Sequence, residues 1–166
     1  ALTSPGIPML FQGQELLQDG WFQDTEELDW DNEREYSGIL KLYCDLIRLR
    51  LNRDGTTRGL TGQHVDVLSV NGEQKVVAFH RWIDGEDRGD TVVIANFSSQ
   101  TRSDYRVGMP LSGIWELRFN SDAATYSPEF GSDPVSDIEA TADPEGRFEH
   151  SMRVSIPPYT VLIYSR

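Results

Sequence analysis

The sequence predicts a mainly β chain, an antiparallel Greek-key β-sandwich preceded by one short buried strand and one amphipathic helix. Three observations carry this. After about residue 55 the apolar spacing changes from helix-like to strand-like. Seven short runs rich in β-branched and aromatic residues follow, at 64–70, 75–82, 91–97, 103–107, 114–119, 150–156 and 161–164. Turn pairs such as Asn71-Gly72, Asp84-Gly85, Met109-Pro110 and Pro157-Pro158 divide them, and no helical pattern intervenes.

In chain order, Ile7-Pro8-Met9-Leu10-Phe11 is a continuous apolar run between Gly6 and Gly13. It reads as a strand buried on both faces, of the parallel-sheet kind, and such a strand needs neighbours on both sides. Residues 18–35 form an acidic, aperiodic loop that carries Trp21, Phe22 and Trp30. From Arg34 to about Leu51, the residues Tyr36, Ile39, Leu40, Tyr43, Leu46, Ile47 and Leu51 recur at three- and four-residue steps, the period of an amphipathic helix. Asn32, Glu33 and Glu35 suit its positive start, and Arg48, Arg50 and Arg53 its negative end. Residues 52–56 end it, which places a domain boundary there and divides the chain into 1–55 and 56–166. The stretch 121–146, rich in Ser, Asp, Pro and Gly, reads as a long surface loop.

Composition narrows the function. The 166 residues include 15 Lys+Arg against 27 Asp+Glu, a net charge of -12, and no basic stripe stands apart, so nucleic acid is not an expected partner. The apolar stretches fall far short of the roughly 18 to 20 residues that cross a bilayer, so no membrane association is expected. The first residues carry neither a charged n-region nor an apolar h-region, and no initiator Met, so the chain is expected to be processed or cut from something longer. Cys44 is the single cysteine, which excludes an internal disulfide and is compatible with the cytoplasmic location we expect.

Most candidate chemistry reduces to ordinary structure. Asp29, Asp31 and Glu33 alternate as in a calcium loop, but Arg34 stands where the sharp turn needs Gly, so a solvated acidic loop is expected and no metal site. His64, His80 and His150 lie on separate strands without ligand spacing, each expected to be a strand residue with a satisfied hydrogen bond. Asn96-Phe97-Ser98 matches a glycosylation acceptor but falls inside a strand. No Gly-Lys-Ser/Thr phosphate loop, Gly-x-Ser-x-Gly elbow or His-Glu-x-x-His helix occurs. Aromatics remain, because sugar rings stack their C–H faces on Trp and Tyr while carboxylates and amides hold the hydroxyls. Trp21, Trp30, Trp82, Trp115, Tyr105 and Tyr126 are candidates, with Trp82 and Trp115 expected in the core and Trp21 and Trp30 in the acidic loop.

Thr3-Ser4-Pro5-Gly6-Ile7-Pro8-Met9-Leu10-Phe11-Gln12-Gly13-Gln14-Glu15 closely resembles the eighth barrel strand and following loop of the alpha-amylase superfamily, as found in 1,4-alpha-glucan branching enzymes and trehalohydrolases. Leu28-Asp29-Trp30, Val76-Val77-Ala78-Phe79-His80-Arg81, Val93-Ile94-Ala95-Asn96-Phe97-Ser98, Phe119-Asn120-Ser121-Asp122 and Ser155-Ile156-Pro157-Pro158 resemble successive landmarks of a branching enzyme's C-terminal half. Leu16 stands where the family more often has Phe, and Gln12 where Met is frequent.

The resemblance implies a fragment. Residues 1–55 would be the last strand, loop and helix of a truncated (β/α)8 barrel, and 56–166 a C-terminal all-β sandwich domain. The parent would act on an alpha-glucan such as glycogen or starch, making α-1,6 branches. The family's Asp nucleophile, Glu acid/base and stabilising Asp lie at the ends of earlier barrel strands, and no residue here matches their motifs. No catalytic residue and no cofactor is therefore expected, and the chain alone is expected to be inactive. Gln12 and Glu15 would sit at the rim of the barrel's active face, with Trp21 and Trp30 further out, shaping glucan subsites; Glu15 pinning the loop is the competing role.

The alternatives are a fragment of an alpha-amylase or trehalohydrolase, and a non-catalytic starch- or glycogen-binding module. A binding module exposes a flat row of Trp or Tyr, whereas a bracing domain buries its aromatics and exposes an apolar patch toward the missing barrel. Without barrel neighbours, residues 1–30 are expected to be poorly ordered, repacked on the sandwich, or paired with another copy in a homo-oligomer. The helix is expected to cover a face of the sandwich.

Overall fold

Alternating apolar side chains draw the C-terminal two thirds of the chain into eight strands in a computed structural model that describes residues 1–21, 23–85, 89–131 and 133–166. The strands are β1 (His64–Asn71), β2 (Val76–Trp82), β3 (Thr91–Asn96), β4 (Arg102–Met109), β5 (Gly113–Asn120), β6 (Ile138–Ala140), β7 (His150–Ile156) and β8 (Val161–Ser165). Six form an antiparallel sheet in the order β1-β2-β3-β8-β5-β6, and β4 pairs with β7 in a second sheet. The last strand returns to lie between β3 and β5, the Greek-key return expected of a mainly β sandwich.

All six residues of β3 are buried, because both faces of the sheet are covered. On one face Val92, Ile94, Leu162, Tyr164 and Trp115 meet Val107, Met109, Met152, Val154 and Ile156 of the second sheet. On the other, Val93, Ile163 and Phe119 meet Leu42, Leu46 and Leu49 of a helix, together with Leu60 and Tyr126. Period two along the strand feeds alternate residues into two different cores.

That helix is α2 (Ser37–Arg50), preceded by the single turn α1 (Asn32–Glu35). The break at Tyr36, where φ is -109°, divides what the apolar spacing presents as one helix. Leu42, Leu46 and Leu49 recur at helical spacing on the face that covers the sheet, as expected. A Cβ at Gly38 would lie 1.8 Å from the Tyr126 carbonyl oxygen, so only glycine lets the helix rest on the 121–131 loop. Tyr126 Oη donates to Asp45 Oδ2 at 2.9 Å, and Lys41 Nζ reaches the same oxygen at 2.7 Å. Burial alone would raise the Asp45 carboxyl, but the bonds from Lys41 and Tyr126 outweigh it and hold it below its ordinary range. Burial and the same carboxylate push the Tyr126 phenol well up.

Two expectations need correction. Residues 7–11 form no strand: their backbone finds no ladder partner among the described strands, and Ile7 and Met9 are 99% and 81% exposed. A parallel strand buried on both faces is stable only between two neighbours, and the sheet present here is built entirely from residues after 63. Within 121–146, read as loop, Ile138–Ala140 pairs with β5, and Val135 and Ile138 pack on the first core. Three residues among Ser, Asp and Pro are too short a run for period two to show. Phe22, assigned to the acidic loop, lies outside the described residues.

The segment before residue 7 is packed on the β-structure, one of the three outcomes expected for it. Leu2 is buried, and two arginines hold the backbone around it. Arg50 Nη1 donates to the Ser4 carbonyl at 2.6 Å and Nη2 to that of Gly6. Arg81 is fully buried, donating to the carbonyls of His64 at 3.0 Å, Thr3 at 2.5 Å, Leu60 at 3.2 Å and Gly62. Burial, then the charge of Arg50, lowers the affinity of the Arg81 guanidinium for its proton, yet a guanidinium stays charged at neutral pH. Arg81→Met strands these carbonyls, so we expect it to lower the unfolding free energy by about 3 kcal/mol. Arg81→Lys, with a point-like ammonium in place of the planar fork, recovers less than half of that loss. Urea denaturation measures both, and wild-type midpoints would show that water serves the carbonyls equally well.

Candidate functional site

A recess near the N-terminal end is lined by described residues between Phe11 and Leu28, and local hydrogen bonding shapes it. Gly13 adopts φ +91°, and a Cβ there would fall 2.7 Å from that of Gln18, so the chain can fold back only at a glycine. The Gln14 side-chain oxygen accepts from the Phe11 amide at 2.9 Å, opening a 3₁₀ turn (Gln14–Leu16) that buries Leu16. Gln18 then closes the loop: its amide donates to the Gly13 carbonyl at 3.0 Å, and its side-chain oxygen accepts from the Asp29 amide at 2.8 Å.

The result is a hollow of about 340 Å³. The amides of Gln12, Gln14, Gln18 and Gln23 and the carboxylates of Asp19, Glu26 and Glu27 line it, beside Trp21 and Phe11. No Lys or Arg lines it among the described residues, so nothing there compensates an anion. Amides and carboxylates around an open indole instead match a neutral polyhydroxylated ring, whose hydroxyls both donate and accept while its C–H face stacks. Trp21 is 93% exposed, with its indole free for such stacking.

Of the residues singled out from the sequence, Gln12 and Trp21 meet in this hollow. Glu15 is half-buried on the 3₁₀ turn and does not line it, and Trp30 stands outside, 65% exposed in the turn before α1. Gln14 and Gln18 went unnoticed; the signal was the repeated glutamine in the run 12–18 around Gly13. The acidic alternation serves the loop itself: Asp29 Oδ1 accepts from the Asp31 amide at 3.0 Å, and the Asp31 carboxylate pairs with Arg34 at 2.7 Å.

The other candidates are structural. Trp115 is fully buried in the first core, as expected. Trp82, expected in the core, is instead half-buried at the end of β2, outside both cores, because it stacks between His64 at 5.1 Å and His80 at 4.8 Å. His80 Nε2 lies 2.5 Å from Asp90 Oδ1, and His64 Nε2 3.0 Å from Asp84 Oδ2, so both histidines have the partners expected of strand residues. Tyr105 Oη shares a hydrogen bond with Ser69 Oγ at 3.2 Å. Asn96 is buried, its Nδ2 donating to the carbonyls of Gln100 and Pro157, each at 2.9 Å, so the glycosylation match is a structural asparagine.

Residues 67–166 match the family described as alpha amylase, C-terminal all-beta domain. The chain belongs to this family. Among its relatives, 1,4-alpha-glucan branching enzyme GlgB of Pseudomonas syringae pv. syringae is 33% identical over 170 residues, covering 97% of this chain and 22% of the relative. The protein of the same name from Burkholderia thailandensis is 31% identical over 169 residues, covering 97% and 20%. This alpha-amylase-family chain thus spans about a fifth of the length of these curated relatives. Solved structures share its fold: an alpha-amylase from H. orenii has a TM-score of 0.60 at 23% identity over 99% of this chain and 33% of its own. A debranching enzyme from Nostoc punctiforme has a TM-score of 0.63 at 16% identity over 99% and 29%. No described helix is long and apolar enough to cross a membrane.

The two tryptophan environments differ enough to test. We expect Trp21→Ala to leave stability within about 0.5 kcal/mol of wild type, while Trp115→Ala costs about 3–5 kcal/mol. Urea denaturation of the two variants checks this, and comparable losses would mean that Trp21 is packed rather than open.

Proposed function

We propose that the chain is the C-terminal part of an alpha-glucan-acting enzyme, of the 1,4-alpha-glucan branching type. Residues 1–55 are the last strand, loop and helix of its (β/α)8 barrel, and 56–166 the all-β domain that braces it. In this reading the Ile7–Phe11 segment regains its strand partners when the rest of the barrel is present, and the hollow beside it joins the rim that holds glucan. Gln12 and Trp21 contact the chain of sugars there, Glu15 supports the turn, and Trp30 stands further along the same face. The carboxylates that break and remake the glycosidic bond belong to the rest of the enzyme, so the chain alone holds glucan without turning it over. A cytoplasmic location follows from the same reading.

One observation carries the bracing role. The β-domain buries Trp115 and Tyr164 in its core, and beside the exposed Trp21 and Trp30 the N-terminal segment leaves an apolar strip, Ile7, Met9 and Phe11, open at the surface, which is what a domain that braces a larger body presents. Apolar side chains left at 99% and 81% exposure call for a protein surface to cover them. Branching is preferred to hydrolysis because the relatives that match nearly the whole chain at 31–33% identity are branching enzymes by name.

The test is a chimera in which this chain replaces the matching segment of the Pseudomonas syringae enzyme. The expected result is retained branching, seen as a fall in the iodine colour of amylose with no rise in reducing ends. A folded chimera that releases reducing ends without branching, or that does neither, would overturn the proposal.

A further inference from the structure

Beside the hollow lies a second recess, formed where α2 meets the loop 121–131. It is a groove of about 480 Å³ between Tyr36, Ser37 and Glu35 on one side and Thr125, Ser127 and Phe130 on the other. Its walls are fixed from below by the Gly38 contact with the Tyr126 carbonyl and by the Tyr126 bond to Asp45. The loop is held from within, the Tyr126 amide donating to the Ala123 carbonyl at 2.9 Å and that of Phe130 to the Ser127 carbonyl at 3.1 Å. A ligand would therefore meet walls that are already in place, with little ordering cost.

The lining is more apolar than that of the hollow, with Leu17, Ile39 and Pro128 among its residues and no side-chain amide, but it shares the aromatic rings and the lack of a cation. Three aromatic residues, Tyr36, Tyr126 and Phe130, line it with the Glu35 carboxylate and the aliphatic hydroxyls of Ser37, Thr125 and Ser127, and no Lys or Arg among the described residues. An anionic ligand would meet only the charge of Glu35, while an apolar helix would leave those hydroxyls unpaired. A neutral sugar chain satisfies both requirements. The two recesses also adjoin. The hydrogen bond to Glu35 and its charge raise the Tyr36 phenol, and the Asp19 carboxylate from the wall of the hollow adds to the same effect. Leu17 of the groove directly precedes Gln18 of the hollow.

We propose that this groove is a second subsite for α-1,4-linked glucan, in which Tyr36 and Phe130 stack on sugar faces and Glu35, Ser37 and Ser127 take hydroxyls. A chain bound at the hollow runs on into it, across the junction of helix and β-domain. The proposal rests on the glucan reading above and extends it to residues on both sides of residue 55.

The experiment is an amide-resolved NMR titration of the chain with maltoheptaose, repeated on Phe130→Ala and Glu35→Gln, whose own spectra report whether each variant is folded. Saturable shifts at Tyr36, Ser127 and Phe130 are expected, together with at least a fivefold weaker Kd in each variant. Shifts confined to residues 12–28, unaffected by either substitution, would overturn the groove and leave the glucan reading standing. No shift anywhere in the spectrum would overturn the groove and count against glucan contact by the chain altogether.

Discussion

The Arg81 guanidinium is buried among main-chain carbonyls from Thr3, Leu60, Gly62 and His64, and that arrangement holds the N-terminal segment against the β-structure. A buried arginine is costly unless its donors are met. Among the described residues its acceptors are all backbone oxygens, so one side chain on β2 pins parts of the chain 78 residues apart in sequence. Arg50, from the end of α2, adds the carbonyls of Ser4 and Gly6. The hollow and the exposed aliphatic strip then start from a fixed point instead of hanging from a free end.

The second constraint is the sharing of β3 between two cores. Its even-numbered apolar residues face the small β4–β7 sheet and Val93 faces α2, so loosening either cover exposes the same central strand. Helix, loop and sheet are locked at Gly38, Tyr126 and Asp45, and the groove opens above that junction. The groove and the structural joint are thus made of neighbouring residues.

The strands were legible because alternation and turn pairs are local signals, and seven of the eight lie within three residues of their expected bounds. β6 was not, since three residues among Ser, Asp and Pro become a strand only through the β5 edge beside them. Residues 7–11 mislead in the opposite sense: their composition reads as a strand buried on both faces, and composition alone cannot supply the neighbouring strands it needs. At the candidate site, Trp21 was legible as an aromatic residue in an acidic loop, and Gln12 only through the family resemblance of the run 3–15. Gln14, Gln18 and the wall made by Phe130 were hidden, because their roles arise from loop closure and from contact between segments about 90 residues apart.

The central claim is that this alpha-amylase-family chain offers glucan a prepared surface but no chemistry. Its most direct test is tryptophan fluorescence of the chain titrated with maltoheptaose, alongside assays of reducing ends and branch points in the same samples. The account predicts a saturable change in emission from Trp21 with neither product formed. New reducing ends or branch points made by this chain alone, or emission unchanged up to millimolar sugar, would contradict it.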